Sequence, residues 1–177
     1  MKVTWIIVIS LVIGMLGTAG VSAADPGLVQ GYIKIGTATQ GAGTVSPYED
    51  YSEILGFSHE VAADPASSGG GGGTGRAYFN LTITKPVDKA TPRLFLLAAN
   101  RQNTQTATIV FKKSGQGYTI TLNNVVITGV SQSYDPLDPV QPGVGEDLEV
   151  VRLSFGKIRW KYGTVQTGWN VGTNSAA

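Results

Sequence analysis

The strongest constraint in this sequence is a period-two alternation of apolar and polar residues that returns in one short run after another. Side chains of a strand point alternately to opposite faces, so such a run reads as a strand with one buried face. Phe79, Leu81 and Ile83 alternate with Tyr78, Asn80, Thr82 and Thr84. The same rhythm runs through Tyr32-Ile33-Lys34-Ile35, Tyr118 to Leu122, Val151-Leu153-Phe155 and Ile158-Trp160-Tyr162. Ile54 to Val61, Thr104 to Lys113 and Val125 to Val130 are further β-rich runs. Together they predict about eight short strands, a number that normally closes into an antiparallel barrel or sandwich. One segment breaks the rhythm. Thr91 is placed to cap a helix, Pro92 suits its first position, Arg93 to Ala99 are good helix formers and Asn100 suits its end. The chain is therefore expected to be all-β with one short helix. Lys112 to Gly117, polar and glycine-bearing between two strand runs, reads as a hairpin turn.

The amino terminus stands apart from this pattern. Met1-Lys2 carries one positive charge, Val3 to Leu16 is almost wholly apolar, and Gly17 to Gly20 leads into the small residues Val21-Ser22-Ala23. That is the layout of a secretory signal peptide, with cleavage expected after Ala23 and a domain over residues 24–177. An apolar run of about 14 residues is shorter than a bilayer-spanning helix requires. No cysteine follows to accept a lipid, and the absence of cysteine excludes disulfides and thiol chemistry. Without Lys2 the remaining basic residues equal the 12 acidic ones, so no net charge favours nucleic acid or an anionic membrane. The expected location is periplasmic or secreted, with no stable membrane span after cleavage.

Two long irregular segments interrupt the strands. Ala62 to Gly75 holds five consecutive glycines, Gly69, Gly70, Gly71, Gly72 and Gly73, and Tyr134 to Glu146 holds Pro136, Pro139 and Pro142. Both are longer than ordinary connectors. Ordering a glycine run costs much backbone entropy, so a contact that fixes it has to come with compensating interactions, and a neighbouring subunit can supply them.

Reactive constellations are thin. His59 is the only histidine, which leaves a serine or cysteine triad and a multi-histidine metal site without partners; a partly exposed sheet residue is the expected role. Glu49, Asp50, Glu53, Glu60, Asp64, Asp135, Asp138, Glu146, Asp147 and Glu149 lie mostly in loops or at strand ends, where carboxylates chiefly solvate a surface. A glycosidase pair among them is a matter of spatial separation. Asp135-Pro136-Leu137-Asp138 lacks the alternating ligands and central glycine of a calcium loop. Gly73-Thr74-Gly75-Arg76 leads into a strand rather than a helix, so it is no phosphate cradle. Trp160, Trp169 and Tyr162 read as packing residues more readily than as an aromatic platform. No catalytic residue, metal or cofactor is expected, and the chain is read as a non-enzyme.

The ordered set of motifs resembles the haemolysin-coregulated protein (Hcp) family of type VI secretion. Gly31 to Gly36 resembles the family's opening strand and Ile54 to Ser58 its second. Thr84-Lys85-Pro86-Val87-Asp88-Lys89-Ala90-Thr91-Pro92-Arg93-Leu94 is similar to its most recognisable block. Tyr118 to Ser131, Val151 to Ile158 and Thr167-Gly168-Trp169-Asn170 complete the likeness, which covers nearly all of residues 24–177. The resemblance implies a small antiparallel β-barrel of two sheets with one flanking helix, assembled into hexameric rings that stack into a tube and carry small protein or peptide cargo. Gly69 to Gly73, with Trp169 and Asn170, are then the candidate subunit interface. Two features depart from the family pattern: its members are loaded from the cytoplasm and do not ordinarily carry a signal peptide, and the proline-rich Tyr134 to Glu146 segment is an insertion. A secreted binding module or effector is the alternative reading, and a hydrolase built on loop carboxylates ranks last.

Overall fold

A computed structural model describes residues 30–37, 39–63, 76–113, 116–133 and 147–177. The signal-peptide segment, most of the glycine-rich segment and the proline-rich segment lie outside the described residues.

Eleven strands are found among the described residues, in two antiparallel sheets. The larger sheet has the order β11 (Ser175–Ala176), β10 (Val165–Asn170), β9 (Lys157–Tyr162), β6 (Gln116–Asn123), β5 (Thr106–Lys113), β1 (Gln30–Ile35), β2 (Ser52–Ile54). The smaller has the order β3 (Gly56–Ala63), β4 (Ala77–Pro86), β8 (Leu148–Ser154), β7 (Val126–Ser133). The all-β expectation with one helix holds. The run expected as one strand over Ile54 to Val61 divides at Leu55, whose N–H donates to the Thr84 carbonyl, so β2 ends one sheet and β3 begins the other. The chain changes sheets again at Asn124-Val125 and at Phe155-Gly156, the bends that join the corners of packed sheets. β10 and β11 were not legible as strands, because Val165 to Asn170 lacks an alternating apolar set.

Parity decides what is buried. Ile33 and Ile35 of β1, Leu81 and Ile83 of β4, Ile109, Ile120, Leu122, Ile127, Val151, Leu153 and Ile158 all turn inward into one continuous core. Each such side chain contributes about 1.5–3 kcal/mol when fully buried. The β5–β6 hairpin pairs as far as Lys113 opposite Gln116, so Lys112, Lys113, Gln116 and Gly117 of the expected turn belong to the strands, and Ser114-Gly115 lie outside the described residues.

The helix α1 (Thr91–Ala99) packs on β7 with Leu94 and Leu97 inward. Its start differs from the expectation. The N-cap is Ala90, which has no capping side chain, and Thr91 is already helical. The Thr91 hydroxyl instead accepts the Asp88 N–H at 2.9 Å, while Asp88 Oδ1 accepts the Ala90 N–H at 2.9 Å. Asp88 takes the capping work because a buried lysine already holds its carboxylate in place.

Candidate functional site

A chain without a reactive cluster has to be judged by its surfaces and seams. Among the described residues no group of three histidine, cysteine or carboxylate side chains is placed to hold a metal ion. Of the carboxylates expected on loops and strand ends, Asp64, Asp135, Asp138 and Glu146 lie outside the described residues, and among the rest Glu149 is buried in the core.

This buried carboxylate faces the end of β4. Lys85 continues the inward parity of Leu81 and Ile83, and Glu149 sits directly opposite it on β8. Lys85 Nζ reaches Glu149 Oε1 at 2.6 Å, Asp88 Oδ1 at 2.9 Å and the Pro86 carbonyl at 2.8 Å, so its three N–H donors are all engaged. The side chains of Lys85 and Glu149 are 1% and 0% exposed. Burial pushes the Asp88 carboxyl up, but donors from Ser52, Lys85 and Ala90 together with the Lys85 charge outweigh it and hold it below the usual carboxylate range. Glu149 Oε2 has no hydrogen-bond partner among the described residues. This cluster ties the helix entry to the smaller sheet, and the contact of Asp88 with Ser52 extends it to the larger one. The sequence reading missed it, although two opposite charges at inward parity on strands were a readable signal.

The opposite end of the sandwich is closed by rings. Phe57 and His59 of β3, Phe79 of β4, Phe155, Phe111 of β5, Tyr118 of β6 and Trp160 of β9 form a chain of contacts with centroids 4.9–6.5 Å apart. His59 connects the sheets: Trp160 Nε1 donates to His59 Nε2 at 3.2 Å, and His59 Nδ1 faces the Asn80 carbonyl at 3.4 Å. The neutral imidazole protonated on Nδ1 satisfies both contacts. Burial lowers the His59 pKa, partly offset by the Asn80 carbonyl. His59 is thus a half-buried sheet residue, as expected, with a bridging role that only the tertiary structure shows.

The remaining feature is an open edge. Among the described residues β3 is paired on one side only, and from Ser58 onward most of it is exposed. Val61 and, on the neighbouring strand, Tyr78 are large apolar residues about half exposed. The other sheet edges differ: β2 and β11 are two or three residues long, and α1 packs on β7. Of the predicted interface residues, Gly69 to Gly73 lie outside the described residues, directly beyond this edge in the chain. Trp169 is partly buried against the core, with a buried indole N–H that finds no acceptor among the described residues. Asn170 serves its own turn, its Oδ1 accepting the N–H groups of Gly172 and Thr173 at 3.1 and 3.3 Å. The structure therefore separates Trp169 and Asn170, one packing and one turn-forming.

Two sheets joined at their corners, one flanking helix on the smaller sheet and an open eight-residue edge strand make a two-sheet β-sandwich of the Hcp architecture. Residues 32–162 match the family described as Type VI secretion system effector, Hcp, and the chain belongs to that family. Hcp1 from Salmonella typhimurium superposes with a TM-score of 0.69 at 21% identity, over 84% of this chain and 99% of that one. A protein described as a type six secretion system protein gives 0.69 at 22%, over 85% and 100%. A type VI secretion system effector from Yersinia pestis gives 0.63 at 19%, over 80% and 99%. At these identities the solved structures speak for the fold. A search of curated proteins finds no match. No helix among the described residues is long and apolar enough to cross a membrane.

Proposed function

We propose that this chain is a ring- and tube-forming subunit, exported after cleavage following Ala23, that acts by self-association and carries small protein or peptide cargo. The observation that carries the reading is the bare β3 edge. An eight-residue edge strand whose outward-facing backbone groups have no strand partner among the described residues, with Val61 exposed, is a template for pairing with another chain, and monomeric sheet proteins usually blunt such an edge. Contact between this edge or the adjoining glycine run and a different patch of the next copy is heterologous, the type of contact that closes rings. Membership in the Hcp family supports the same reading.

The test is the mass of the purified protein by light scattering across concentration. A ring, hexameric by family likeness, is expected; a monomer at every concentration overturns the proposal. Replacing Gly69 to Gly73 with bulkier residues is expected to impair assembly while the subunit stays folded. Mass spectrometry of the exported protein checks the leader, which is expected to end at Ala23. The ring-lined seam at Trp160 favours, as a second reading, a secreted binding module acting as a monomer, and the same scattering measurement separates the two.

A further inference from the structure

Beside the helix, away from both the open edge and the aromatic seam, lies a cleft of about 220 Å³. Its walls are the turn leaving β1, the first turns of α1 and the connection from α1 to β5. Ile35 and Leu97 form an apolar floor, and the walls carry Thr37, Gln102 and Gln105. Among the described residues Arg93 is the one charged side chain on the lining. It is half-buried, and among the described residues it forms no ion pair. A guanidinium offers five N–H donors in a planar fork, open here to a ligand that enters the cleft. The space is more than ten times the ~10–15 Å³ that one buried water needs.

The wall containing Gln105 is strained. Gln105 has φ +70°, and the Thr106 N–H donates to the Thr104 carbonyl at 2.9 Å across it, the closed three-residue turn that residues other than glycine rarely adopt. Three bonds hold it there. Asn103 Oδ1 accepts the Gln105 N–H at 2.7 Å, the Gln105 carbonyl accepts the Asn124 N–H at 2.7 Å, and Gly36 N–H reaches the Thr106 carbonyl at 2.7 Å. Glycine would adopt this turn without strain, yet a side chain with an amide stands there and lines the cleft. Strain held against an obvious relief is a mark of function.

We infer that the Arg93 cleft binds a compact polar molecule through a single carboxylate. The guanidinium takes the carboxylate as a two-pronged pair, and the Gln102 and Gln105 amides with the Thr37 hydroxyl take neighbouring polar groups. One positive charge matches one negative charge, so a monocarboxylate fits better than a phosphate dianion. The carboxylate can come from a free small molecule or from the end of a peptide chain.

Calorimetric titration of the purified protein distinguishes these. D-gluconate is the free monocarboxylate and sorbitol its neutral counterpart; a short polar peptide is used with a free and with an amidated carboxyl end. Saturable binding of gluconate but not sorbitol is expected, weakened at least tenfold in Arg93→Gln and less in Arg93→Lys. Binding of only the free-carboxyl peptide supports the site and assigns its source to a chain end. Gln105→Gly is expected to melt at the same or a higher temperature while binding several-fold more weakly, which separates a ligand role from a folding role. No saturable binding of any carboxylate, or binding untouched by Arg93→Gln and Arg93→Lys, overturns the inference.

Discussion

The two ends of this sandwich solve the same problem with opposite chemistry. At one end Lys85, Asp88 and Glu149 tie the smaller sheet to the helix entry with charges removed from water, and Asp88 reaches Ser52 of the larger sheet. At the other, His59 and Trp160 tie the sheets together through a neutral hydrogen bond among partly exposed rings. Buried charges are stabilising only as a complete set, since each one left alone incurs the full desolvation penalty. Rings lose packing area gradually when one is removed, because each contributes in proportion to the surface it covers. The charged end should therefore fail all at once and the aromatic end by degrees.

Lys85→Ala breaks the comparison most severely. It leaves two carboxylates buried without their cation, and a loss of about 3–5 kcal/mol in chemical denaturation is expected. The paired replacement Lys85→Met with Glu149→Leu should recover much of that loss; a double variant as unstable as the single one would refute the account. The same end governs behaviour in acid. The folded pKa of Asp88 is depressed, so its contribution is present above the usual carboxylate pKa and disappears as pH falls through the folded value. Thermal melts of the native protein should fall steeply below about pH 4.

Trp160→Ala tests the other end. The ring is only partly buried, so a loss of about 2–3 kcal/mol is expected, below the range for a fully buried aromatic. A loss equal to that of Lys85→Ala would erase the contrast. His59→Phe sharpens it further, with about 0.5–1 kcal/mol expected for the neutral bond to Trp160. The sign with pH follows from the lowered His59 pKa. The unfolded chain takes up a proton first as pH drops, so the native state is favoured above about pH 6.5 and loses that advantage below it. The native protein should lose stability between pH 7 and 5 in urea titrations, and His59→Phe should flatten that slope. Smallest of all, Asn170→Ala removes two turn bonds at an exposed site and is expected to cost about 0.5 kcal/mol, with the two ends of the sandwich unaffected.

Alternation alone located β1, β4, β6, β8 and β9 and most of their inward residues, because side-chain direction along a strand is a local property; Tyr162, read as a packing residue, is half exposed at the end of β9. The helix was legible for the same reason, although its cap was not: Asp88 displaced Thr91 only because Lys85, brought in from the strand, holds its carboxylate. The corner at Leu55 was invisible, since a strand that changes sheets keeps its alternation. Within the predicted interface, Trp169 and Asn170 adjoin in sequence yet face different tasks, which β10 pairing with β9 and β11 decides.

By itself the sequence determined that this protein would be a cysteine-free, all-β chain with one helix and an Hcp-like order of motifs. Only the tertiary structure decided that Lys85 would meet Glu149, that His59 would meet Trp160 and that Arg93 would line a cleft. Periodicity acts between neighbours in the chain, whereas those meetings join residues far apart in sequence, and their energies exist only after the sheets have closed.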